Sequence, residues 1–183
     1  MRSLSLAVLL ALGAAAAVTE EALELKEGRF RCAVPPWARG RDEGVDRREG
    51  VYGVVLTGPA AAEGPRPSLS IEFYAPGNAL FKGAEDYAAR RRPPGRPRRL
   101  KVAGRPARRW TRAASVPARP GGLVVEPVEL RTDTVLIEAA GGFYLLAYEA
   151  PAKGFSSAIL ERALQTFELL PAKPAPPSQR EGN

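Results

Sequence analysis

The chain has 183 residues, 27 Lys and Arg against 20 Asp and Glu for a formal charge of +7, one cysteine and no histidine. The missing histidine excludes imidazole acid–base catalysis, Ser-His-Asp and Cys-His nucleophilic arrangements and nearly every zinc site. A single cysteine excludes an intramolecular disulfide, so stability has to come from packing.

Arg2 opens the chain, Leu4 to Leu12 is apolar apart from Ser5, and Gly13 leads into four alanines ending at Ala17. A charged start, a short apolar run and a small-residue site read as a cleavable secretory signal over 1–17, cut near Ala17. A membrane span needs about 20 apolar residues, and this run thins to alanine before the acids Glu20 and Glu21. The protein is therefore expected outside the cytoplasm, periplasmic or secreted. Residues 18–26 read as a flexible segment, 27–170 as one domain, and 171–183, with four prolines, as a disordered tail.

Phe30, Cys32 and Val34 alternate with Arg29, Arg31 and Ala33, which predicts a half-buried strand over 27–34, stopped by Pro35-Pro36. Cys32 follows Glu27-Gly28-Arg29-Phe30-Arg31, with no apolar run leading into it, so it is not a lipoprotein cysteine but a small buried side chain. Trp37 is placed to fold over the core edge, and 39–50 reads as a charged loop. Val51–Thr57 predicts a strand covered on both faces; 58–67, with three prolines and two glycines, predicts a surface loop; Ser68–Tyr74 predicts a strand with Leu69, Ile71 and Phe73 on one face. Asn78 is expected to cap a helix carrying Leu80, Phe81, Ala84, Tyr87 and Ala88, ending where Arg92 meets Pro93-Pro94.

Leu100–Ala103 and Ala107–Thr111 predict a hairpin turning at Gly104, with Trp110 on one face. From Leu123 to Ala150 the signal is strand: Val124–Leu130 with Pro127 at an edge or bulge, a break at Thr132-Asp133, Val135–Ala139, a primed turn at Gly141-Gly142, then Phe143–Tyr148. Ile159, Leu160, Ala163, Leu164 and Phe167 form the apolar stripe of a last helix over 156–169 that packs across the sheet.

Four stretches carry a resemblance. They are Phe30-Arg31-Cys32-Ala33-Val34-Pro35 with Trp37, Leu69-Ser70-Ile71-Glu72-Phe73 leading into the Asp86-Tyr87 helix, Val102-Ala103-Gly104-Arg105-Pro106-Ala107, and Gly141-Gly142-Phe143-Tyr144 before a final helix ending at Phe167. In order and character they resemble the PsbP-like fold group, which includes the Ran-binding Mog family and many exported bacterial proteins. The resemblance covers roughly 27–170. It implies an α+β domain, an antiparallel sheet of about six to eight strands flanked by helices as an α/β/α sandwich, and a non-enzymatic binding or assembly role. No residue-level ligand motif comes with it, and the arginine-rich stretch 93–99 departs from it.

Between Tyr87 and Val125 lie twelve Arg or Lys and no acid, while the rest of the chain sums to minus five. Arg90, Arg91, Arg92, Arg98, Arg99, Arg105, Arg108 and Arg109, with Trp110, are the candidate anion- or partner-binding residues, because guanidinium groups grip phosphate and carboxylate bidentately. Export turns the expected partner away from nucleic acid and towards phospholipid head groups, anionic glycan or an acidic protein face. A bland explanation competes: Arg outnumbers Lys 22 to 5 and Ala, Gly and Pro are abundant, as a GC-rich coding sequence produces.

Glu72, Asp86, Glu126, Glu129, Glu138 and Glu149 are the acids from which a glycosidase pair could be drawn, two of them roughly 5 to 10 Å apart in one cleft. Glu126, Glu138 and Glu149 read instead as solvated strand positions. No Gly-rich phosphate loop or dinucleotide fingerprint occurs. The reading is a binding or accessory domain with no catalytic residue, no metal and no cofactor.

Overall fold

The structure is a computed structural model that describes residues 21–37, 40–42, 49–60, 64–118 and 125–171. The signal over 1–17 and all but the first residue of the expected tail lie outside the described residues. Two sheets and two helices build an α+β domain.

The larger sheet is antiparallel and seven-stranded. Its strands are β3 (Gly40–Asp42), β4 (Val51–Thr57), β5 (Ser68–Tyr74), β6 (Arg98–Val102), β7 (Arg105–Ala118), β8 (Val125–Ala139) and β9 (Gly142–Pro151), in the spatial order β3-β4-β5-β9-β8-β7-β6. The smaller sheet sets β2 (Phe30–Val34) between β1 (Glu21–Leu25) and β10 (Glu168–Leu169). Helices α1 (Ala84–Arg91) and α2 (Ser157–Gln165) complete the domain. No helix among the described residues is long and apolar enough to cross a membrane.

Strand alternation sends apolar side chains to both faces of the large sheet. On one face Val54, Leu56, Leu69, Ile71, Phe73, Val135, Ile137, Tyr144 and Leu146 pack against Phe30 and Cys32 of the small sheet and Leu160, Ala163 and Leu164 of α2. Phe167 closes that layer, stacked on Phe30 at 5.6 Å between centroids, while Tyr144 stacks on Phe73 at 4.7 Å and donates its hydroxyl to the Arg29 carbonyl at 3.1 Å. On the opposite face Val51, Tyr74, Trp110, Leu136, Phe143 and Leu145 meet Phe81 and Tyr87, with Tyr74 and Phe143 stacked at 4.6 Å. Helices therefore cover the sheet from both sides.

The strands at 51–57 and 68–74 fall where the sequence puts them, and Trp37 packs on the core edge. Pro127 sits beside a register shift, where Val116 pairs with Val128 but Ala118 pairs with Val125. Other expectations are corrected. Residues 21–25, expected to be flexible, form a strand paired with Phe30–Val34, and the strand expected from 27 starts only at Phe30. Within the expected loop at 39–50, Gly40–Asp42 pairs with β4, while 43–48 lies outside the described residues.

Asn78 does cap backbone, its Oδ1 accepting from the Leu80 and Phe81 amides at 3.1 and 2.8 Å, but this closes a turn; α1 begins six residues later with Gly83 at its cap and no side-chain hydrogen bond there. The break expected at Thr132-Asp133 is absent: β8 runs through it unbroken, because Asp133 is satisfied from the neighbouring strand. The tight turn falls at Ala140-Gly141, of which only Gly141 has positive φ, so it is not a mirror-image turn; Gly142 opens β9 instead. A Cβ on Gly142 would stand 2.2 Å from the Tyr74 carbonyl oxygen, which explains the glycine. Finally, α2 stops at Gln165, and Glu168–Leu169 is a short strand on β2.

Candidate anion-binding edge

Strand β6 ends the large sheet, and a two-residue turn joins it to β7. Both turn residues have positive φ, +48° at Ala103 and +74° at Gly104, the geometry that matches hairpin twist. The turn fixes the pairing Val102↔Arg105 through Arg98↔Arg109. Side chains alternate from there: Leu100 and buried Val102 reach the core shared with α2, whereas Arg99 and Lys101 point to the face that carries α1.

The arginines singled out from sequence divide into two groups. Arg109, on the α2 face, is bonded by the buried carboxylate of Asp133 and by Glu161 of α2; its side chain is 11% exposed. Burial works against the Arg109 charge, but the hydrogen bonds it donates to Asp133 and Glu161 more than compensate and hold its pKa above the ordinary arginine value. Arg108, on the α1 face, pairs with Glu85 at 3.0 Å and Glu138 at 3.4 Å, and its guanidinium lies 6.0 Å from the centre of the Trp110 ring. Trp110 is itself buried, unable to serve as an open stacking platform. Arg90 pairs with Asp86 at 3.5 Å and donates to the Leu80 carbonyl, and it lies over Phe81. Arg108, Arg109 and Trp110 are thus engaged within the fold, and Arg90, though exposed, is paired locally.

Arg91, Arg92, Arg98, Arg99 and Arg105 are exposed, and none has an acidic partner among the described residues. Arg91 rests over the Phe81 ring, and Arg92 takes the left-handed conformation that ends α1. Arg96 and Lys101, within the basic stretch but not among the residues singled out from sequence, join this group, exposed and without an acidic partner among the described residues. Strand alternation across the hairpin was the signal that could have found Lys101. The set runs from the end of α1 along β6 to the hairpin tip, a strip of one sign at one sheet edge.

Glu72, Asp86, Glu138 and Glu149 each have a separate hydrogen-bond partner. The Tyr74 hydroxyl donates to Glu72 at 2.6 Å and Thr132 Oγ1 donates to Glu149 at 2.9 Å. Asp86 accepts from the Lys82 amide at 3.0 Å, and Glu129 is exposed. Glu72 and Glu149 share a face, but Glu149 stands opposite Ser68, four residues from Glu72 and so roughly 13 Å along the strand.

No family model matches the chain, and no curated protein matches it. Five chains among solved structures do match. One is a protein from Bacteroides thetaiotaomicron VPI-5482 whose crystal structure was determined at 1.50 Å; it superposes with a TM-score of 0.54 at 12% identity, over 82% of this chain and 48% of that one. The likeness is one of fold, and the chain spans about half the length of that protein.

Proposed function

We propose that the chain is an exported, non-enzymatic binding or accessory domain of PsbP-like type whose working surface is the cationic strip along β6. One observation carries the reading: the inward arginines Arg108 and Arg109 are paired with acids, whereas Arg92, Arg96, Arg98, Arg99, Lys101 and Arg105 gather at one exposed edge with no acid among the described residues to neutralise them. Like charges concentrated along one stretch of chain repel one another, so their concentration favours a partner that supplies the opposite sign. The missing histidine supports binding over acid–base catalysis.

The test separates this edge from overall basicity. The fourfold variant R98Q/R99Q/K101Q/R105Q is compared with K26Q/R66Q/K82Q/K153Q, which removes the same charge from exposed positions elsewhere. On an immobilised heparin matrix the edge variant is expected to elute at clearly lower salt than the charge-matched one, and the parent to be released as the Debye length shrinks from about 10 Å at 0.1 M towards 3 Å at 1 M. Equal elution of the two variants would mean that net charge alone governs retention, and the reading would fail.

A further inference from the structure

We infer that the β6 edge accepts an extended acidic polypeptide segment as an added strand of the large sheet, with acids at alternate positions. The inference rests on the binding function proposed above and specifies the partner's form.

Two-residue hairpin geometry decides which backbone groups are free. The residues flanking the turn, Val102 and Arg105, form a hydrogen-bonded pair, and bonded and non-bonded pairs alternate from there. Leu100 and Arg98 therefore bond to β7, while Arg99 and Lys101 turn their N–H and C=O away from it. Pro106 agrees, since a residue without an N–H stands opposite Lys101 in a non-bonded pair. No strand lies beyond β6 among the described residues. The edge thus offers two donors and two acceptors in strand geometry, which a bulk anion or a lipid head group would use poorly and an extended peptide would use fully.

Side chains select the partner. Arg99 and Lys101 are two residues apart on one face, about 7 Å along the strand, matching acids at i and i+2 of an added strand. On the other face half-buried Leu100 sits above buried Val102 and beside the core, where an apolar residue of the incoming strand would pack. The recognised pattern is acid alternating with apolar. Charges on an edge strand also deter self-pairing, and here they do so selectively: a second β6 is repelled, and a strand of opposite sign is attracted.

The test uses the full chain and fluorescence anisotropy with an acetylated, amidated peptide, Thr-Glu-Val-Glu-Val-Glu-Thr. Its controls are an analogue N-methylated at every internal amide, which keeps every charge but leaves neither edge free to add to a sheet, and an analogue with Lys for Glu. The acidic peptide is expected to bind, with affinity falling as salt rises, and the other two to bind at least about tenfold more weakly. R99Q/K101Q is expected to lose about tenfold, and K101P to bind more weakly than K101Q because proline removes an outward N–H without touching the β7 ladder. Should K101P fail to fold, the N-methylated peptide still decides. Equal binding of the N-methylated peptide would overturn strand addition yet leave the anionic-edge function standing. Binding to phosphatidylglycerol vesicles without binding to the peptide would also overturn it, assigning the edge to a membrane surface. Retention on none of the anionic probes would remove both the inference and the function beneath it.

Discussion

Asp133 is a carboxylate almost wholly removed from water, in the middle of a strand whose neighbours Val135 and Ile137 are core. Its position is tolerable because Thr111 Oγ1 donates to Oδ1 at 2.6 Å and Arg109 donates to Oδ2, and Arg109 in turn reaches Glu161 on α2. Each buried charge has a partner of opposite sign, so removing one member leaves the other unpaired in a medium that solvates it badly. Asp133→Ala is expected to cost about 3 kcal/mol, at the lower end for a broken buried pair because Glu161 remains to Arg109. Thr111→Val, which removes one hydrogen bond to a charged group, should cost about 1.5 kcal/mol. Urea unfolding of the two single variants and the double variant checks both values. The costs should fail to add, since both changes act on one carboxylate, and strict additivity would show that Thr111 and Asp133 act independently.

At the level of elements, the β6–β7 hairpin depends on its two turn residues. Gly104 is suited to positive φ, whereas Ala103 at φ +48° carries a Cβ penalty of about 1 kcal/mol. Asparagine tolerates that conformation and Asn-Gly is the preferred pair for such turns, so Ala103→Asn should raise stability by about 0.5–1 kcal/mol and Gly104→Ala should lower it by about 1 kcal/mol. Thermal unfolding of the two variants tests the assignment, and an unchanged or lowered midpoint for Ala103→Asn would contradict it.

Strands β4 and β5 were legible because a local alternation lies between glycine- and proline-rich breakers. The continuity of β8 was not, because Asp133 reads as a break until Arg109, 24 residues away, neutralises it. The end of α2 was masked in a similar way. Phe167 stands three residues beyond Leu164, as Leu164 stands four beyond Leu160, which is helical spacing, yet the chain leaves the helix at Thr166, whose Oγ1 accepts the Ala33 amide at 2.8 Å and donates to the Arg162 carbonyl at 2.8 Å. As for the site, the excess of arginine was visible as composition. Its division into paired and unpaired groups was not, because Glu138 and Glu161 lie 30 and 52 residues from the arginines they bind.

For the molecule as a whole, the decisive contact is the one between the two sheets, and two titratable groups report on it. Cys32, on the central strand of the small sheet, is 1% exposed, and burial pushes its thiol up from 9.0 to about 12. Tyr144, on β9 of the large sheet, is pushed up from 10.0 to about 12 by burial, against a smaller opposing effect of Arg29. Both groups are neutral when protonated, and the fold favours that form. Below pH 9 folded and unfolded chains hold the same protons here and the full contribution to stability is present. As pH rises past 9 for Cys32 and past 10 for Tyr144, the unfolded chain releases protons that the native chain retains, so stability falls until both states are ionised near pH 12. The free energy of unfolding should thus stay level with respect to these groups up to about pH 8.5, then decline with a slope approaching 1.4 kcal/mol per pH unit for each group engaged. Burial raises Tyr87 and Tyr148 as well, which steepens the fall above pH 10. Cys32→Ala separates the contributions: its decline between pH 9 and 10 should be shallower than the parent's by about one proton, with the slope above pH 10 reduced by the same amount, although its stability at pH 7 is lower for the lost packing. Urea titrations at half-unit steps from pH 7 to 11 measure both slopes, and coincident slopes for parent and variant would show that the thiol is not held between the sheets in the folded chain.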